Sequence, residues 1–184
     1  MRSPLKTVAI PLNTGRIGYI TAGPTKDLPD THMLVRCAAE IPVHPERVFC
    51  SVAVHDFKPF VEDDLLARVP TILKALDEGK KLYVGCWGGT GRTGTLLAVL
   101  VGQHQSFSGE QAIDYIRDNY KKGAVETKDQ EDQVCDMSEI DMVYENAAHH
   151  AMLHLDPDTY EPPTEIAPAP QRSRFSRLFG LLTG

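Results

Sequence analysis

Apolar residues fall in short alternating or continuous runs over the first half of the chain. These runs predict strands or extended segments over Thr7–Ile10, Ile17–Ala22 and Met33–Ala38, with turns marked by Gly15, Gly23-Pro24 and Pro29-Asp30. The unbroken run Val48–Val54 (VFCSVAV) predicts a strand buried on both faces, ending at His55-Asp56. From Asp63 to Glu78 the period changes. Leu65, Leu66, Val69, Ile72, Leu73 and Leu76 recur at spacings of three and four, the pattern of an amphipathic helix closed by Gly79, and Pro70 inside it predicts a kink or a division into two pieces. Leu82–Gly85 reads as a short strand and Thr95–Gln103 as a helix, with a glycine-rich loop between them. Ser108 followed by Gln111 is a capping box that opens a helix through Asn119. A last helix starts near Thr127, with acidic residues suited to its N-terminus, and is expected to run to about Leu155.

Strands alternating with helices predict an α/β domain over residues 1–155, with a central mixed sheet flanked by helices. After Asp156 the composition shifts. Pro157, Pro162, Pro163, Pro168 and Pro170 make residues 156–171 a proline-rich linker, expected to be extended. Residues 172–184 set Arg172, Arg174 and Arg177 against Phe175, Leu178, Phe179, Leu181 and Leu182. That C-terminal tail is either a disordered end or a weakly amphipathic segment for membrane or partner contact.

The formal net charge of −6 removes the broad basic surface that general nucleic-acid binding requires. Cys37, Cys50, Cys86 and Cys135 are too scattered for a disulfide framework and form no CxxC pair, so a reducing, cytoplasmic setting is expected. His149, His150 and His154 lack a carboxylate or cysteine at helical spacing, and neither a metal nor another cofactor is expected.

The chemistry concentrates in Cys86-Trp87-Gly88-Gly89-Thr90-Gly91-Arg92-Thr93, at the step from strand to helix. Glycines there let successive N–H groups curl around an oxyanion, and the helix N-terminus adds its positive end to the same point. Such a field favours a thiolate, which makes Cys86 the candidate nucleophile. Arg92 can grip two phosphoryl oxygens with its planar fork, residues Trp87 to Gly91 line the cradle, and the Thr93 hydroxyl can donate to the sulfur. Trp87 either walls the pocket or packs inward.

Cys-x5-Arg-Thr at this turn resembles the signature of the protein-tyrosine and dual-specificity phosphatase superfamily. The resemblance implies a phosphocysteine intermediate and a mobile aspartate about thirty residues before the cysteine, a place that Asp56 fills at the end of Val48–Val54. Asp63 and Asp64 are reserves that read more naturally as first-turn helix residues, and His55 as a structural residue. The segment Glu126-Thr127-Lys128-Asp129-Gln130 is similar to the downstream loop whose glutamines position the hydrolytic water. Gln130 matches the second glutamine, Glu126 stands in place of the first, and Gln133 lies nearby. Gly85 departs from the pattern, because the family usually has histidine before the cysteine.

The function expected is hydrolysis of phosphomonoesters on phosphotyrosine or phosphoserine/threonine proteins, or on a small phosphoester. Two alternatives stand beside it: a phosphate-binding pseudophosphatase, kept open by Gly85, and a phosphatase of RNA 5′-phosphates or another non-protein substrate.

Overall fold

A computed structural model describes residues 5–140. The proline-rich linker, the basic tail and the three histidines at 149, 150 and 154 lie outside the described residues. Five strands form one mixed sheet: β1 (Lys6–Pro11), β2 (Ile17–Pro24), β3 (Met33–Ala38), β4 (Val48–Val54) and β5 (Leu82–Cys86), in the spatial order β1-β2-β5-β3-β4. β1 pairs antiparallel with β2, and the other pairings are parallel. Four helices accompany the sheet: α1 (Glu62–Asp77), α2 (Gly91–Gly102), α3 (Gly109–Asn119) and α4 (Lys128–Glu139).

This order makes β5 the central strand. All five of its residues are buried, and its register sets Pro24 of β2 opposite Cys86 and Arg36 of β3 opposite Gly85. The segments leaving the C-terminal ends of β2, β3 and β4 therefore converge on the end of β5, the usual place for a site in a parallel sheet. α2 leaves from that point and is buried along all twelve residues. A helix apolar on every side belongs at the centre of a core, and α2 packs against β5, α3 and α4.

Three expectations change. Val48–Val54 is a strand, but only Val52 is fully buried, because β4 is the edge strand and has neighbours on one side only. α1 runs unbroken through Pro70. The proline removes one backbone hydrogen bond, and the buried row of Leu65, Val69, Ile72 and Leu76 holds the helix against the sheet across that gap. α4 closes at Glu139, where Ile140 turns extended, and the rest of the segment expected to be helical, 141–155, lies outside the described residues. Its start follows the expectation: Thr127 caps it, with Gln130 completing the capping box, as Ser108 and Gln111 do for α3.

Candidate active site

Cys86 ends β5 buried, and the chain turns through Trp87–Thr90 before α2 begins. The carbonyl groups of this turn face the protein: Cys86 O accepts from Thr25 Oγ1 at 3.1 Å, Gly89 O from Tyr120 Oη at 2.5 Å, and Gly88 O and Gly89 O from Lys121 Nζ at 3.0 and 2.7 Å. With its acceptors bound behind, the loop keeps its N–H groups for whatever sits in front of it. Gly89 has φ +60, and a Cβ there would collide with the Gly23 and Pro24 backbone, so the site requires glycine twice over.

Gly85 has a packing reason. A Cβ on it would lie 2.9 Å from Thr25 Oγ1, 3.1 Å from Leu34 Cδ1 and 3.2 Å from Thr25 Cα. The short 3-10 turn Thr25–Asp27 after β2 presses on β5 at this residue and holds the Cys86 carbonyl itself. Trp87 is 69% exposed, which excludes the core-packing alternative and leaves its indole at the surface beside Cys86.

Arg92 lies on the first turn of α2 and is only 1% exposed. Its Nη1 donates to Glu40 Oε2 and to Val54 O, both at 2.8 Å, and its Nη2 to Glu40 Oε1 at 2.6 Å. Asp56 Oδ1 stands 2.9 Å from the same Nη2 and also accepts from Phe57 N at 3.2 Å. Burial opposes the charge on Arg92, but the Glu40 hydrogen bond and the negative groups at Cys86, Asp56 and Glu40 outweigh it and raise its pKa. In return Arg92 holds Glu40 down to about 2. Cys86, Arg92 and Asp56, chosen from the sequence, are thus one cluster. Thr93 is fully buried on the same turn, and its Oγ1 has no hydrogen-bond partner, like Arg92 Nε and Gln130 Nε2.

Gln130 is 1% exposed, and its Oε1 accepts from Glu126 N at 2.9 Å and from Thr127 N at 3.4 Å. The acceptor end caps α4 and lies near Gly91, and the buried donor end has no hydrogen-bond partner. Gln133 is spent elsewhere: it brackets Phe60, taking its N–H and donating to its C=O, both at 2.8 Å, and so ties the segment after Asp56 to α4. Asp63 and Asp64 sit in the first turn of α1, as their helix reading has it.

Glu40, Thr25, Tyr120 and Lys121 were not singled out by sequence. Glu40 had a signal: it stands two residues beyond β3 as Asp56 stands two residues beyond β4, and parallel neighbours deliver such residues to the same place. The others act through carbonyl groups, which a sequence does not show.

Cysteine, buried arginine and strand-end carboxylate meet at one loop, in a domain of the protein-tyrosine and dual-specificity phosphatase type. Residues 38–134, more than half of the chain, match the family described as "PTP-SAK: Swiss Army Knife protein, DSP-PTPase phosphatase domain", and the chain belongs to it. Two relatives from Methanocaldococcus jannaschii are similar in sequence. The uncharacterized protein MJECL20 is 41% identical over 85 residues, 45% of this chain and 54% of its own length. The uncharacterized protein MJ0215 is 40% identical over 98 residues, 52% of this chain and 58% of its own. The chain thus spans little more than half the length of these relatives. Among solved structures, Tk-PTP in the active form superposes with a TM-score of 0.56 at 23% identity, over 65% of this chain and 91% of that one. Kinase associated phosphatase, with its catalytic cysteine changed to serine, gives 0.55 at 18%, over 76% and 97%. These two likenesses establish the fold.

Proposed function

We propose that this chain hydrolyses phosphomonoesters in two steps, with Cys86 as nucleophile and Asp56 as general acid. The observation that carries the reading is the meeting of Cys86 at the end of β5, the loop whose carbonyl groups are tied back into the protein and the buried Arg92 at one point. The Cys86 sulfur attacks phosphorus, the ester oxygen leaves with a proton from Asp56, and water then cleaves the sulfur–phosphorus bond. Trp87 to Gly91 and Arg92 hold the equatorial oxygens, Thr93 donates to the departing sulfur, and Gln130 positions the water. Phosphotyrosine and phosphoserine/threonine proteins are the favoured substrates, since the loop between Cys86 and Arg92 carries no charge for a second phosphate.

A binding-only role has one observation in its favour, the occupation of the Arg92 fork by Glu40 and Asp56. Turnover of para-nitrophenyl phosphate separates the two. Activity lost in Cys86→Ser and lowered about 10²-fold in Asp56→Ala supports the enzyme. Tight phosphopeptide binding by a wild-type protein with no turnover between pH 5 and 8 favours the binder.

A further inference from the structure

A cavity of about 310 Å³ lies at the far end of the strands that carry the candidate active site. It sits where β2, β5 and β3 begin: Ile17 opens β2, Lys81 directly precedes β5 and His32 directly precedes β3, whereas Cys86 closes β5 at the opposite end. α1 supplies the floor. A Cβ on Gly18 would lie 2.8 Å from Leu76 Cβ, so strand and helix close that side without a gap. Gly79, at φ +75, ends the helix, with Gly79 N–H donating to Leu76 O at 3.0 Å and Lys80 N–H to Ala75 O at 2.9 Å. That reversal brings Lys80 and Lys81 back to the sheet, where Met33 N–H fixes the Lys81 carbonyl at 3.0 Å.

The walls join positive charge to an apolar surface. Arg16, Lys80 and Lys81 line the cavity, and none of its lining residues is acidic. Asp77 reaches Arg16 at 3.3 Å and Glu78 reaches Lys80 at 2.9 Å, but neither carboxylate lines the cavity, and Lys81 has no ion-pair partner among the described residues. The C-terminal end of α1 accounts for a cation at 80 or 81, though not for Arg16, which arrives from the turn between β1 and β2 in a chain of net charge −6. His32 Nε2 lies 3.3 Å from Thr21 Oγ1, itself 3.4 Å from Thr7 Oγ1, so neutral polar groups adjoin the cations. Burial and the Lys81 ammonium push the His32 pKa down, which places two mutually repelling groups within electrostatic reach in one cavity. An oxyanion between them removes that repulsion. Ile17 and Tyr19, two residues apart on one face of β2 and 58% and 63% exposed, form the apolar side.

We propose that this cavity binds a small phosphate monoester with a flat apolar body, of the size of a nucleoside monophosphate. The phosphoryl oxygens meet the Arg16 fork and the Lys80 and Lys81 ammonium groups, and the flat body lies against Tyr19 and Ile17. Pockets for small ligands begin at roughly 300 Å³, which puts this cavity among the smallest of them and sets the size of its ligand. Binding here does not depend on the reaction proposed at Cys86.

Amide NMR titration of the whole chain carrying Cys86→Ser, with adenosine monophosphate as the probe, tests this. Gly18 and Gly79 report the cavity, Gly88 and Gly89 report the catalytic loop, and removing the thiol keeps the probe intact. Adenosine monophosphate should shift Gly18 and Gly79 saturably, inorganic phosphate should shift them with weaker affinity, and adenosine should leave them in place. Lys81→Gln should weaken both anions about 10-fold, and Tyr19→Ser should weaken adenosine monophosphate while leaving inorganic phosphate unchanged. Shifts confined to Gly88 and Gly89 overturn the proposal, and so does adenosine binding as tightly as its monophosphate. Movement of Gly18 and Gly79 that neither substitution weakens overturns it as well. The comparison of adenosine with its monophosphate needs no cavity variant, so it decides the matter even where Lys81→Gln or Tyr19→Ser fails to fold.

Discussion

The space around a residue decides more here than its identity in a motif. Gly85 stands where the family usually has histidine, and its surroundings are closed by Thr25 and Leu34 at 2.9 to 3.2 Å. Forcing a side chain into that gap pushes the 3-10 turn off β5 and disturbs the Thr25 bond to the Cys86 carbonyl. Gly85→Ala should cost about 1–3 kcal/mol in urea unfolding. Gly85→His should be worse and should not raise activity. A gain in turnover from Gly85→His would contradict this account of the departure.

Glu40 makes a second case at the same scale. Its pKa is held at about 2, below the ordinary 4.5, chiefly by its hydrogen bond to Arg92. Folding lowers this pKa, so the stabilisation is complete above about 4.5 and is lost as pH falls toward about 2. Glu40→Gln should destabilise the protein at neutral pH by about 1–2 kcal/mol. That is the lower part of the range for bonds to charged groups, because the carboxylate is partly exposed and Asp56 remains on the guanidinium. The difference between wild type and variant should shrink between pH 4.5 and 2 in urea titrations. A constant difference across that interval would refute the pairing.

At the level of elements, the phosphate loop keeps its shape through what lies behind it. Tyr120, 1% exposed at the C-terminal end of α3, donates to Gly89 O at 2.5 Å, and burial raises its pKa so that it remains a donor. Its own carbonyl accepts from Lys6 Nζ on β1, so the clamp reaches across the domain. Tyr120→Phe should cost about 0.5–1.5 kcal/mol in unfolding and weaken binding of inorganic vanadate, since Lys121 alone then faces the Gly89 carbonyl. Unchanged vanadate affinity would mean that the loop needs no such support. This layer explains what the sequence left hidden. Strand and helix positions were readable because period and capping residues are local: β3 and β4 have the expected bounds, Ser108 caps α3 as expected, and α4 starts at the expected place after Thr127. Cys86, Arg92 and Thr93 were readable because their spacing is fixed by one turn. Glu40, Tyr120 and Lys121 were not, because they reach the loop from 31 or more residues away through carbonyl groups and a guanidinium. The edge position of β4 is likewise a property of strand order, which no single run of residues encodes.

Over the whole molecule, the sheet gathers reactive groups at one end of the parallel strands and leaves the other thiols away from any helix N-terminus or guanidinium of that kind. All four cysteines are unpaired. Cys37 on β3 is enclosed, and burial, reinforced by the neighbouring Cys86 and Cys50, pushes its thiol well up. Burial carries Cys50 on β4 to about 11 and raises Cys135 on α4, where Glu110 adds to the effect. Thiolate is the reactive form, so at neutral pH these three remain protonated and slow to alkylate. Cys86 alone ends a strand under a helix N-terminus with a guanidinium beside it. Iodoacetate at pH 7 should therefore label the protein in one fast step at Cys86, followed by much slower labelling of the others. Inorganic phosphate should retard the fast step by occupying the cradle, and Cys86→Ser should abolish it. Fast labelling that survives in Cys86→Ser and maps to Cys135 would show that the fold does not set the thiols apart in this way.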